Sequence, residues 1–167
     1  MDVMSAIETR RSIRKYYPTP VEPEKLAKIA EAFRLAPSAN NKQKWKLFIV
    51  TDPATKAKLR DASPAKFSMI TEAPAVLVGT CAYQETMENH HRVDSVDVSI
   101  AMAFAMLEAQ ELGLGTCWLG YYTEAEAKSA LGLADDVSVV AIMPLGYAAE
   151  TPKPTPRKPI EGVVTYI

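Results

Sequence analysis

The chain has 167 residues, 48% of them apolar and 23% charged, with a formal net charge of −1. That length fits one domain, residues 1–167, burying roughly 70% of the surface its unfolded form exposes. The charge balance argues against a general nucleic-acid binder, and no uncharged stretch approaches the ~18 apolar residues of a membrane span. Two cysteines, Cys81 and Cys117, are too few for a disulfide framework and read as reduced thiols. Residues 1–7 are too short and mixed for a signal peptide, so the expectation is a soluble, cytoplasmic protein.

In chain order, Asp2 can cap a helix running to about Thr9, with Val3, Met4, Ala6 and Ile7 as its apolar face. Arg10-Arg11-Ser12-Ile13-Arg14 follows at once, three guanidinium groups and a hydroxyl within five residues. A guanidinium matches phosphate oxygens two at a time and stays charged at physiological pH, so this turn is a candidate anion site. Pro18, Pro20 and Pro23 then keep the chain extended. Pro23 can open a helix over about 24–35, where Leu26, Ile29, Ala30 and Phe33 keep the helical period and Pro37 ends it. A polar loop, 36–45, leads into a strand over 45–51. From the residues alone, Asn40 and Asn41 there serve turn geometry. Pro53 starts a helix to about Ala62, and Pro64 is a candidate start for another.

Residues 75–82 form a near-continuous apolar run, which suits a strand covered on both faces. A long helix follows over 94–112. Every residue of 100–107 is apolar, so that helix should be buried nearly all round, at the centre of the domain or against a second subunit. Gly113 is a natural left-handed cap. A short strand near 116–119, a helix over 124–131 and a strand over 137–147 complete the alternation. Strands alternating with helices fit a layered α/β sheet. Pro152, Pro154, Pro156 and Pro159 then make a stiff arm, 152–167, with too little apolar surface to stand alone. It should be tied down by adding a strand to a sheet. His90 and His91, with Glu88 and Asp94, fit no zinc spacing, so no metal is expected.

In order and separation, four segments resemble the nitroreductase family of FMN-dependent oxidoreductases, over roughly residues 3–165. They are residues 10–14, the loop 36–45, Gly113-Leu114-Gly115-Thr116-Cys117-Trp118-Leu119-Gly120, and Pro156-Arg157-Lys158-Pro159. The resemblance implies an α+β fold: a mixed, mainly antiparallel sheet flanked by helices, in a homodimer whose C-terminal arm embraces the partner. It implies FMN as cofactor. Arg10 and Arg157 match the family's phosphate-binding arginines, Arg11 and Ser12 its ribityl and phosphate contacts, and Lys158 is a helper. Arg14 matches the basic residue beside N1 and C2=O of the flavin ring. There, a cation ~4 Å from the charge left by reduction is worth about 4 kcal/mol at an effective dielectric of 20, before desolvation costs. Pro37, Ser38, Ala39 and Asn41 match a loop that reaches the flavin from the other subunit, with Gln43 nearby. Leu119 and Gly120 match the point where backbone N–H groups approach N5.

The implied activity is ping-pong transfer of a hydride from NAD(P)H to a nitroaromatic, quinone or similar electron-poor acceptor. No side chain acts as an obligatory acid or base; the flavin performs the chemistry and Arg14 tunes it. Rival readings are a flavin enzyme of the same fold with other chemistry (dehalogenation, flavin fragmentation or enoate reduction), an FMN-storing or FMN-sensing protein, and a dimeric protein whose arginines contact an acidic partner. Lys44 stands where the family often has proline. Lys66 is the nearest candidate for the lysine at the pyrimidine edge, and the connection from Tyr83 to Val93 is too short for the helical lid of longer members.

Overall fold

The computed structural model describes residues 2–82 and 85–167. Helix α1, Val3–Thr9, is capped by Asp2, whose carboxylate accepts from the Ser5 N–H at 3.0 Å. Helix α2, Pro23–Arg34, begins on its proline, where the missing N–H costs nothing. Strand β1 spans Trp45–Val50, and helix α3, Pro53–Asp61, is capped by Asp52. Pro64 starts no helix. The Lys66 N–H closes a turn on the Ser63 carbonyl at 2.8 Å with φ +46°, and the short α4 begins later, at Met69–Glu72.

Strand β2, Ala75–Cys81, and strand β4, Ser138–Gly146, are the central pair of an antiparallel sheet. Its order is β1-β2-β4-β3, with β3 at Gly115–Thr116. Gly79 pairs with Ala141 and Thr80 with Val139, so Val140 is the extra residue of a bulge. The β3–β4 ladder stops at Leu145, beside Pro144, which has no N–H to give. The antiparallel ladders make this the α+β fold that the resemblance implies, not the layered α/β sheet that the alternation of strands and helices suggested.

Side chains alternate across β2. Leu77 and Cys81 face a core shared with Ile29, Phe33, Val98 and Met102, while Val76 and Val78 face Leu59, Ile70 and Ile142. All seven residues of β2 are buried, so the continuous apolar run has the two covered faces it called for. Burying each large aliphatic side chain is worth about 1.5–3 kcal/mol. Helix α5, Val93–Glu111, lies on the first face, and helix α6, Glu124–Leu131, belongs to the second.

Within one chain, α5 is covered on one side, so of the two placements expected from the sequence the domain centre alone does not bury it all round. Val98, Ala101, Met102, Ala105 and Ala109 are fully buried, but Phe104 keeps 42% of its surface and Val96 is exposed. The other side, with Phe104 and Leu107, lines a groove of 480 Å³ together with Val3 and Leu35. The helix ends at Gly113, whose φ of +75° is the left-handed cap. The arm adds no strand to the chain's own sheet. It runs exposed from Thr151, apart from a half-covered Pro152, and makes one 3-10 turn at Ile160–Gly162.

Tyr83 falls outside the described residues. Within the rest of that connection, 85–92, the Met87 N–H donates to the His91 carbonyl at 2.8 Å and no helix forms. His90 and His91 are exposed there. Asp94 is buried and bonded to Arg92, which also donates to the Ser138 hydroxyl at 3.0 Å. Burial opposes the Asp94 charge, yet Arg92, Ser138 and the Ser95 N–H hold its carboxyl below the ordinary value.

Candidate functional site

The end of α1 feeds directly into the site. The Arg11 guanidinium folds back onto the carbonyls of Glu8 and Arg10, both at 2.7 Å. A cation there satisfies carbonyls the helix leaves open and meets the negative end of its dipole. The chain then extends along β3: Ser12 bridges Thr116, and the Ile13 N–H donates to the Thr116 carbonyl at 2.9 Å. Ile13 is buried against Gly115, where a Cβ would stand 2.5 Å from Ile13 Cγ1 and 2.8 Å from its Cβ. Only glycine permits that approach. Gly115→Ala is therefore expected to push residues 12–14 away from β3 and cost roughly 1–3 kcal/mol in denaturant unfolding. Unaltered stability would show that the segment tolerates displacement.

Arg10, Arg11 and Ser12 line a cavity of 310 Å³ with Ile7 and Glu8 of α1, and the arm brings Pro154, Thr155 and Arg157 to the same lining. Three guanidinium groups thus face a single carboxylate, that of Glu8. Arg157 Nη1 donates to the Thr155 carbonyl at 3.2 Å, which leaves most of its fork open. Among the described residues, none hydrogen-bonds the Arg10 guanidinium. The cavity can hold a dianion by forked, charge-assisted bonds.

Arg14 stands beside this cavity rather than in it. Its side chain is exposed, with Nη1 donating to the Ser12 carbonyl at 3.2 Å. Beneath lies the buried Cys117, whose thiol is pushed up by burial against the opposing pull of the Arg14 cation and the Ser12 hydroxyl. Lys158 follows Arg157 on the exposed arm, outside the lining. Leu119 is buried and exchanges both backbone hydrogen bonds with Ile142, at 2.9 and 3.2 Å. Gly120 is exposed, and a Cβ on it would meet nothing within 4 Å in this chain. Trp118 is 36% exposed.

The loop before β1 forms a separate group. Asn40, Asn41 and Gln43 have φ of +51°, +55° and +50°, a conformation asparagine tolerates better than most residues. The Ala39 N–H donates to both oxygens of the largely buried Asp97 at 3.1 Å, and the Ser38 hydroxyl accepts from the Gln43 N–H at 3.0 Å. None of Pro37, Ser38, Ala39 and Asn41 lines the arginine cavity. One chain therefore assembles Arg10, Arg11, Ser12 and Arg157, with Arg14 adjacent, and holds the loop residues elsewhere.

Two residues escaped the sequence reading. Asp97 anchors the loop from α5, and Glu150 Oε1 accepts from the Arg14 N–H at 2.5 Å. Their only signal in the sequence is position: an acid just ahead of the apolar helix stretch, and one just ahead of the proline-rich arm.

The sequence matches the model of the nitroreductase family over residues 7–68 and 61–147. An NADH dehydrogenase of Thermus thermophilus is 30% identical, across 99% of this chain and 96% of that protein. An FMN reductase [NAD(P)H] of Bacillus subtilis is 29% identical, across 97% of this chain and 72% of that protein. Among solved structures, an FMN-dependent nitroreductase of Clostridium difficile superimposes with a TM-score of 0.77 at 30% identity, covering 92% of this chain and 91% of that one. The antiparallel fold, the arginine turn against β3 and these likenesses agree: the chain belongs to the nitroreductase family.

Proposed function

We propose that this protein is an FMN-dependent oxidoreductase that takes hydride from NAD(P)H and passes it to a nitroaromatic, quinone or similar electron-poor acceptor by ping-pong exchange. It works in the cytoplasm as a homodimer of single-domain subunits, residues 1–167, each carrying the arm 152–167. The observation that carries this reading is the convergence of Arg10, Arg11, Ser12 and Arg157 on one cavity. A phosphate monoester is dianionic near neutral pH, and three guanidinium groups with one hydroxyl fit it. The names of the relatives, an FMN reductase acting with NAD(P)H and an FMN-dependent nitroreductase, support the same cofactor and reductant.

In this reading FMN supplies the two-electron redox chemistry. Arg10, Arg11, Ser12 and Arg157 would hold its phosphate, with Lys158 adding positive charge from the arm. Gly120 would offer its backbone N–H to the ring, with Leu119 positioning it: the Leu119 N–H itself, expected from the sequence to face the flavin, is already given to the Ile142 carbonyl. Pro37, Ser38, Ala39 and Asn41 would approach from the partner, their backbone held to α5 by Asp97. Arg14 would place a cation at the pyrimidine end of the ring and favour reduction there.

The direct test is the visible spectrum. Purified protein is expected to show a flavin band that bleaches on anaerobic mixing with NADH or NADPH. A colourless protein that takes up no added FMN overturns the reading, and a yellow one that neither pyridine nucleotide bleaches overturns the activity.

Arg14→Leu is expected to lower the two-electron potential of bound FMN while weakening its binding less than loss of a phosphate cation does. A loss of ~1.4 kcal/mol corresponds to roughly 30 mV. Spectroelectrochemistry decides: an unmoved potential at full flavin occupancy removes Arg14 from the mechanism.

A further inference from the structure

We propose that Glu150 is a positioning residue that fixes where the arm leaves the body, so that Arg157 reaches the cavity lined by Arg10. This deepens the FMN reading and rests on it. Residues 147–150 run antiparallel to residues 14–17. The Tyr17 N–H donates to the Tyr147 carbonyl and the Ala149 N–H to the Lys15 carbonyl, each at 2.9 Å. The last tether of this ladder is the Glu150 side chain, whose Oε1 takes the Arg14 N–H at 2.5 Å. A carboxylate on a backbone N–H makes a charge-assisted bond, stronger than the neutral rungs before it.

Past Glu150, the hydrogen bonds of the arm are local among the described residues: Arg157 to Thr155 and Pro156, and the turn at Ile160–Gly162. Direction must therefore come from the point of departure. Pro152, Pro154 and Pro156 stiffen the seven residues from Thr151 to Arg157. Semi-rigid polyproline-like chain advances ~3.1 Å per residue, so a small rotation at residue 150 becomes a displacement of several ångströms at the Arg157 guanidinium. The same carboxylate grips the residue next to Ile13, which is itself wedged on Gly115. One side chain thus joins the two halves of the cation cluster, the turn after α1 and the arm.

The test is titration of flavin-free full-length protein with FMN and with riboflavin, which lacks the phosphate, in Glu150→Ala, Glu150→Gln and Arg10→Ala. Glu150→Ala is expected to lose about tenfold or more in FMN affinity, with riboflavin affinity held within about twofold. Glu150→Gln keeps an oxygen acceptor for the Arg14 N–H and is expected to restore most of that loss. The role is overturned if Glu150→Ala binds FMN as the parent does, if both ligands weaken together, or if glutamine fares no better than alanine. Arg10→Ala separates the layers. If it too leaves FMN affinity untouched, the cavity is not a phosphate site and the underlying reading fails. If it weakens FMN while Glu150→Ala does not, only the positioning role falls.

Discussion

Arg10→Ala and Arg157→Ala will each weaken FMN binding by about one to two orders of magnitude, because a charge-assisted hydrogen bond is worth ~1.5–3 kcal/mol. Both side chains line the same cavity and neither guanidinium is consumed by strong internal bonds, since Arg157 reaches only two carbonyls of its own arm. Arg11 differs. Its guanidinium already closes the end of α1 on the Glu8 and Arg10 carbonyls, so its removal should cost stability as well as affinity. Two cations on one phosphate are coupled, so the double variant should lose a different amount from the sum of the singles. Lysine at position 10 should fall between arginine and alanine, keeping the charge but not the fork. Fluorescence titration measures all of this. FMN affinity unchanged in both single variants sinks the phosphate assignment.

How much of this was legible in the sequence follows from the range of each contact. Pro23, Pro53 and Gly113 mark helix ends because fixed φ, a missing N–H and a positive φ act within one residue, and each stands at its expected boundary. The apolar run of β2 announced two covered faces for the same local reason. Pro64 misled, because the turn closed by Lys66 onto Ser63 takes up the residues a helix would have used. The all-apolar stretch of α5 stated how much surface wants covering, but not that one chain covers one side. Arg10 to Arg14 could be read as a cluster because they are adjacent. Asp97 holding Ala39 and Glu150 holding Arg14 join residues 58 and 136 positions apart, and no local pattern encodes such pairs. The convergence of Arg157 on Arg10 was reachable only through the family resemblance.

Deleting residues 152–167 is expected to abolish both the dimer and flavin retention. The arm ends in Ile160, Val163, Val164, Tyr166 and Ile167, all exposed in the single chain. Covering each such side chain is worth about 1.5–3 kcal/mol, which gives the arm a strong drive toward a partner surface and no means of satisfying it at home. The chain also leaves an apolar groove open along Phe104 and Leu107. If subunits embrace through their arms, the partner's loop around Ser38 and Asn41 reaches the flavin only while the embrace lasts. The full deletion also removes Arg157, so a shorter one, residues 160–167, separates the two effects. It keeps Arg157 and Lys158 but takes away the apolar end. By sedimentation both truncations should run as monomers. The shorter should bind FMN more weakly than the full chain yet better than the longer, because Arg157 and Lys158, the cations proposed for the phosphate, remain. A stable, yellow dimer lacking residues 160–167 would place the embrace elsewhere and reduce the arm to a carrier of Arg157.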